Sequence, residues 1–232
     1  MSLSKVIEIA RGELGYTEDP AGSNRVKYWD AYDPKMQGQP WCVAFLWWCF
    51  REAGERMSFF GGGKTASCTT LLRWYREQGL APYVRGSSIL RVSDICVGDI
   101  VLLNFQGKDS PQHCGLVTFV NDSYGYVLTI EGNTSPGCEG SQDNGGCVAL
   151  KDRYPSQIVA VCRPQYSPEP VTVDDITGHW AEKDIRFWLS KGLVKGYPDG
   201  SFKPDQPVTR AELCVIFERF RKMLMSDMED LV

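Results

Sequence analysis

The 232-residue sequence predicts an α+β fold with an antiparallel sheet, followed by a smaller all-α segment. Three observations predict it. Apolar residues recur at helical spacing in segments of the chain up to Gln78. Short runs of β-branched and aromatic residues replace that period between Asp99 and Cys162. A proline-rich stretch without periodicity, Arg163 to Val173, then leads into two more amphipathic patterns. Helices first and strands after argue for α+β rather than for alternating βαβ units.

The elements follow in order. Ser4 to Gly15 carries Val6, Ile7, Ala10 and Leu14 at helical spacing, and Gly15 stands where a helix stops. Tyr16 to Asn24 is a polar loop. Pro40 opens an apolar stretch, Trp41 to Ala53, which Gly54 closes. Proline at the first helical position and glycine past the last is the asymmetry of a helix. Ala44, Phe45, Trp47, Trp48 and Phe50 make it apolar nearly all round, so it is buried. Thr69 to Gln78 is another helix. Strands are predicted at Asp99–Asn104, His113–Val120, Tyr124–Ile130, Cys147–Leu150 and Ile158–Cys162. Beyond the linker, helices are expected over Trp180–Lys191 and Thr209–Lys222, with turns from Gly192 to Val208 and an acidic end from Ser226 to Val232. No internal repeat is visible.

Composition excludes several function classes. The formal charge is −4, with 16 basic against 17 acidic residues through Gln165 and 9 against 12 beyond it. Neither part is a basic patch, which argues against nucleic acid and anionic membrane as partners. No apolar stretch approaches the ~18 residues of a membrane span. Glu8, Arg11 and Glu13 interrupt any apolar signal region near the N-terminus, so the chain is expected to be made in the cytoplasm without a signal peptide. There are nine cysteines and two histidines, and no Cys-x-x-Cys pair. The spacing is neither a disulfide framework nor an ordinary zinc pattern, so no metal and no cofactor are expected. Cys138 and Cys147 bracket a glycine-rich loop and are candidates to pair under oxidation. Cys42 and Cys49 cannot pair on one helix, because seven residues span ~10.5 Å.

The chemistry-bearing residues are Cys42, His113, Glu131 and Asn133. Cys42 stands at the start of the buried helix, where unsatisfied N–H groups and a partial positive charge stabilise a thiolate. The alternative is a small buried hydrophobe, the commoner fate of cysteine. His113 opens a strand on the face predicted to carry Val117 and Phe119. Glu131 and Asn133 fall on one face at a strand end, opposite Leu128 and Ile130, where a carboxylate or amide can orient an imidazole. Taken singly, His113 reads as a core histidine and Glu131 as a solvated strand end; together with Cys42 they read as a triad. Gly61 to Thr65 mimics the end of a phosphate loop, but Ser58 stands where that pattern needs glycine. Trp41, Trp47 and Trp48 read as core, with Trp41 the one that could line a cleft.

Gln39-Pro40-Trp41-Cys42-Val43-Ala44-Phe45, the strand-opening His113 and Glu131-Gly132-Asn133 together resemble the CHAP domain, one of the papain-like and NlpC-type cysteine amidases and peptidases. The resemblance runs from about Ser4 to Pro164. It implies a papain-like fold, Cys42 as nucleophile, His113 as general base, and Glu131 and Asn133 orienting the imidazole. Such domains cleave amide bonds of peptidoglycan, or glutathionylspermidine in some members, and are frequent in phage endolysins. Some bind calcium through an acidic loop before the cysteine. Here that region, Asp33 to Gly38, has too few oxygen ligands. Gln39 is a candidate oxyanion donor beside the backbone N–H of Cys42.

A second resemblance lies in the C-terminal segment. Asp175-Ile176-Thr177-Gly178-His179-Trp180-Ala181, then Gly192 to Phe202, then Thr209-Arg210-Ala211-Glu212 resemble one S-layer homology motif. The family holds proteins on secondary cell-wall polysaccharide, often pyruvylated. Trp180, Asp199, Gly200 and Arg210 match its signature, and Arg210 suits an acidic sugar. Trp180 is equally readable as core, and Arg210 as a structural ion pair. The family usually carries three tandem copies and this chain has one, which predicts a homotrimer through the C-terminal segment.

The expected organisation is a catalytic domain at 1–164, a linker at 165–173, a wall-binding motif at 174–222 and an acidic tail at 223–232. The expected function is peptidoglycan hydrolysis by a Cys–His–Glu/Asn thiol mechanism, as amidase or D-amino-acid endopeptidase, acting at the wall after release from the cytoplasm. A phage or prophage endolysin fits this description. The alternatives are a wall-binding or scaffold protein whose catalytic-type domain is inactive, and an amide hydrolase of a small cytoplasmic substrate.

Overall fold

The computed structural model describes residues 3–137, 140–167, 174–197 and 200–229, the last eight by their backbone alone. They fall into two compact units, one ending at Ser167 and one beginning at Pro168.

The first unit joins five helices to one sheet. The helices are α1 (Leu3–Gly12), α2 (Lys27–Tyr32), α3 (Cys42–Glu52), α4 (Arg56–Phe60) and α5 (Cys68–Glu77). The strands are β1 (Tyr83–Val84), β2 (Ile100–Leu103), β3 (His113–Asn121), β4 (Tyr126–Thr134), β5 (Cys147–Arg153) and β6 (Ile158–Cys162). Their order is β1-β6-β2-β3-β4-β5, and every pairing is antiparallel. Alternation sorts most strand residues between two faces. Ile100, Leu102, Cys114, Leu116, Ile130, Ala160 and Cys162 join the helices in the main core. Val101, Leu103, Val117, Val127 and Val161 build a second core on the opposite face with Val92 and Ile95.

The buried helix is α3, which packs on β3 and β4. It begins two residues later than expected: Trp41 is the N-cap and Cys42 the first helical residue, with Pro40 outside. Trp41 is fully buried, and its indole Nε1 donates to Glu18 Oε1 at 2.9 Å. Tyr28 packs against both Trp41 and Phe45, with ring centroids 5.3 and 5.2 Å away. Trp41 is therefore core rather than cleft lining. Gly61 ends α4 in the left-handed conformation (φ +56°), so the Gly61–Thr65 run is a helix stop.

The unit extends past the expected boundary at Pro164. Tyr166 stacks on Phe50 at 5.6 Å and donates to the Gly98 carbonyl, and the Ser167 N–H donates to Glu55. Part of the predicted linker thus belongs to the core.

The second unit contains α6 (Glu182–Ser190) and α7 (Arg210–Glu229), and its small core is Ile176 and Leu189 with Ile185, Val194 and Phe202 packed against them. Thr209 and Glu212 form the predicted reciprocal cap: Glu212 accepts from the Thr209 N–H at 2.8 Å, and Thr209 Oγ1 accepts from the Glu212 N–H at 3.2 Å. Gly200 turns the chain with φ +84°, and Tyr197 and Ser201 bond across the turn. Among the described residues no helix is long and apolar enough to cross a membrane.

Candidate active site

Three elements deliver the site. No side chain caps α3, so its first-turn N–H groups surround Cys42 without a competing acceptor from an N-cap. β3 opens with His113, and β4 carries Glu131 near its end. His113 and Glu131 are fully buried and Cys42 is 5% exposed.

His113 Nε2 lies 3.0 Å from Glu131 Oε2. Glu131 in turn is gripped by a residue the sequence reading did not single out. Arg153, on β5, donates from Nε to Oε1 at 2.7 Å and from Nη2 to Oε2 at 2.6 Å. Thr129 Oγ1 also donates to Oε1, at 2.6 Å. Burial alone would raise the Glu131 pKa, but Arg153 and His113 hold it at about 2. It is a carboxylate at any ordinary pH. Burial opposes a charged His113, yet the Cys42 thiol and Glu131 raise it to about 9. Cys42 moves the other way. Thiols of Cys114 and Cys68 hydrogen-bond to its sulfur and, against the cost of burial, hold its pKa well below the thiol range, with His113 adding to the effect. The arrangement favours a Cys42 thiolate beside a His113 imidazolium.

The Nδ1 of His113 has no hydrogen-bond partner. With Nε2 committed to Glu131, Nδ1 is the nitrogen left to exchange a proton with sulfur or substrate.

Asn133 is placed differently from the expectation. The pairing of β4 with β5 slips between Glu131 and Thr134, and Asn133 has φ +61°. That irregularity breaks the alternation that put Glu131 and Asn133 on one face. Asn133 Nδ2 donates to Asn144 Oδ1 at 3.0 Å, and among the described residues it makes no bond to His113. A second bulge, between Val117 and Phe119, separates those two residues: Val117 is buried and Phe119 is 49% exposed. Gln39 is exposed, and its backbone carbonyl accepts from Trp29 Nε1.

In the second unit Trp180 is 88% exposed, which removes the core reading. Arg210 is exposed at the start of α7 and forms no ion pair among the described residues. Gly200 forms the turn described above, and Asp199 lies outside the described residues, as does Cys138. The Cys147 thiol donates to the Thr134 carbonyl at 2.8 Å.

Comparison with known proteins agrees with both parts of the chain. The family model of the CHAP domain matches residues 34–133, and that of the S-layer homology domain matches residues 174–214. Cell surface glycoprotein 1 of Acetivibrio thermocellus is 57% identical over 42 residues, 18% of this chain and 2% of that protein. The cellulosome-anchoring protein of the same organism is 47% identical over 45 residues, 19% of this chain and 10% of the relative. The S-layer protein of Bacillus licheniformis is 43% identical over 64 residues, 28% of this chain and 7% of the relative. The chain thus spans a tenth or less of the length of these curated relatives. Among solved structures, the wild-type endolysin LysIME-EF1 superposes with a TM-score of 0.43 at 17% identity, over 71% of this chain and 64% of that one. The chain carries a CHAP domain followed by an S-layer homology domain.

Proposed function

We propose that the chain is a peptidoglycan hydrolase of the endolysin type that cleaves amide bonds with Cys42 and is held at its substrate by the S-layer homology domain. The observation that carries the proposal is the buried Cys42–His113–Glu131 group inside the matched CHAP region. The Cys42 thiolate attacks the amide carbonyl carbon. The His113 imidazolium gives its proton to the departing amine, which leaves a thioester on Cys42. His113 then takes a proton from water as that water attacks the thioester, and the acid product leaves with Cys42 again a thiolate. Glu131 keeps the imidazole oriented through Nε2. The Cys42 N–H, with Gln39 beside it, faces the oxyanion. Asn133 supports the strand end that carries Glu131.

In the second unit, Trp180, Asp199, Gly200 and Arg210 take up secondary cell-wall polysaccharide. The exposed Trp180 ring suits a sugar face, and the exposed Arg210 guanidinium suits an acidic substituent. Three chains associate through this unit, which leaves Phe187, Leu213, Val215 and Phe217 substantially exposed in the single chain. Zymography on purified walls tests the reading: a cleared band is expected from the full chain and none from Cys42→Ala. Amidase and endopeptidase action are then distinguished by mass spectrometry of the released muropeptides.

A further inference from the structure

Cys42 does not stand alone. The Sγ atoms of Cys42, Cys68 and Cys114 all lie within 4.8 Å of one another. Cys42 is the first residue of α3, Cys68 the first of α5, and Cys114 the second of β3. Three distant segments meet there, so the cluster leaves no short-spaced motif in the sequence. All three residues are buried, with Cys42 5% and Cys68 8% exposed, so the cluster is reached from the side of those two.

We propose that Cys42, Cys68 and Cys114 form a binding site for a soft divalent ion of the zinc class, and that its occupancy silences the hydrolase. A tetrahedral zinc–thiolate centre has Zn–S bonds of ~2.3 Å and therefore S–S separations of ~3.8 Å. The three thiols need only close in by about an ångström to meet it. Thiolate ligands select zinc and similar soft ions and reject calcium and magnesium, which require oxygen. His113 lies outside the group whose ligand atoms are all within 4.8 Å of one another, and it has to turn in to supply the fourth ligand. Its Nδ1 is buried without a hydrogen-bond partner, while its Nε2 is held by Glu131. A carboxylate on one ring nitrogen fixes the tautomer that leaves a lone pair on the other, the arrangement typical of metal-binding histidines. Cys42 is already a thiolate, so binding releases to solvent the thiol protons of Cys68 and Cys114 and the Nδ1 proton of the His113 imidazolium, and it engages the nucleophile and the general base together. The site stands on this geometry; only its inhibitory consequence rests on the hydrolase reading.

The test uses the full chain, reduced and freed of metal with chelator. Co²⁺ is titrated in, followed by Zn²⁺. One equivalent of Co²⁺ should bind with an intense thiolate-to-metal charge-transfer band, and Zn²⁺ should displace it. Bound Zn²⁺ should shield Cys42 and Cys68, the two thiols that reach the surface, from iodoacetamide while the exposed Cys96 and Cys214 still react. Cys68→Ser and Cys114→Ser should each weaken binding at least tenfold, and Cys96→Ser should not. Lysis should fall in proportion to the zinc bound and return with EDTA. Absence of the charge-transfer band, or shielding confined to Cys42, overturns the site. The alkylation map on the unsubstituted chain decides even where a serine variant fails to fold. A chain that binds the ion as described but never lyses walls keeps the site and removes the hydrolase.

Discussion

Glu131 is the residue on which the site's electrostatics turn, because it accepts from one buried cation and one buried imidazole at once. Its replacement by glutamine preserves size, and the sequence alone makes that change mild. Arg153 alters the expectation. It is 3% exposed and has Glu131 as its ion-pair partner. Glu131→Gln strands its guanidinium in the interior, a loss of about 3–5 kcal/mol for a broken buried pair. Chemical denaturation should show a loss of that order, and an unchanged midpoint would contradict the pairing. The two shifted groups also set pH limits. Glu131 is held at about 2, below its ordinary 4.5, so its stabilising contribution is complete above about 4.5 and disappears as pH falls towards 2. His113 is raised from 6.5 to about 9, so its contribution is complete below 6.5 and is lost as pH rises through 9. Melting temperature measured against pH should fall on both flanks, and His113→Ala should abolish the alkaline one. Lysis should fall along the same alkaline limb, because deprotonation of His113 removes the acid that protonates the leaving amine.

At the scale of elements, two glycines decide how closely the strands approach their neighbours. A Cβ on Gly132 would lie 2.6 Å from Phe45 Cβ and 2.7 Å from a Trp41 ring carbon, so β4 fits under α3 only with glycine there. A Cβ on Gly115 would lie 2.8 Å from Glu131 Cγ and 2.9 Å from Thr129 Cβ. Both alanine variants should lose about 1–3 kcal/mol to overpacking. Gly115→Ala should also reduce kcat by moving the carboxylate that orients His113; full activity in that variant would show that the position of Glu131 is not critical. The same elements show what the sequence made legible. Long periodic segments such as α3 and β3 were readable because burial on one face or all round leaves a repeating trace. The short α2, α4 and β1 were not, since six, five and two residues are too few to repeat a period of 3.6 or 2. Cys42, His113 and Glu131 could be singled out as candidates because each sits at the end of a readable element. Asn133 was misplaced by a bulge, and bulges leave no periodic sign. Arg153, Cys68 and Cys114 left no sign of their own because only tertiary contact brings them to Glu131 and Cys42. Cys114 follows His113 directly, and that adjacency was the one available hint.

For the whole molecule, the catalytic-type unit is complete only with Tyr166 and Ser167, so a truncation should end after Ser167 rather than at Pro164. Light scattering should give a trimer for the full chain and a monomer for that truncation. A monomeric full chain would remove the trimer, and a trimeric truncation would move the interface to the other unit. Activity should survive EDTA and be lost to iodoacetamide, since the proposed chemistry needs a free thiol and no metal. The most direct measurement is digestion of purified bacterial cell walls by the reduced, chelator-treated full chain and by its Cys42→Ala variant, followed by turbidity and by mass spectrometry of the soluble products. The predicted result is release of muropeptides cut at an amide bond by the unsubstituted chain and none by a folded Cys42→Ala. Equal digestion by both, or none by either, would contradict the assignment of Cys42 as the nucleophile of a wall hydrolase.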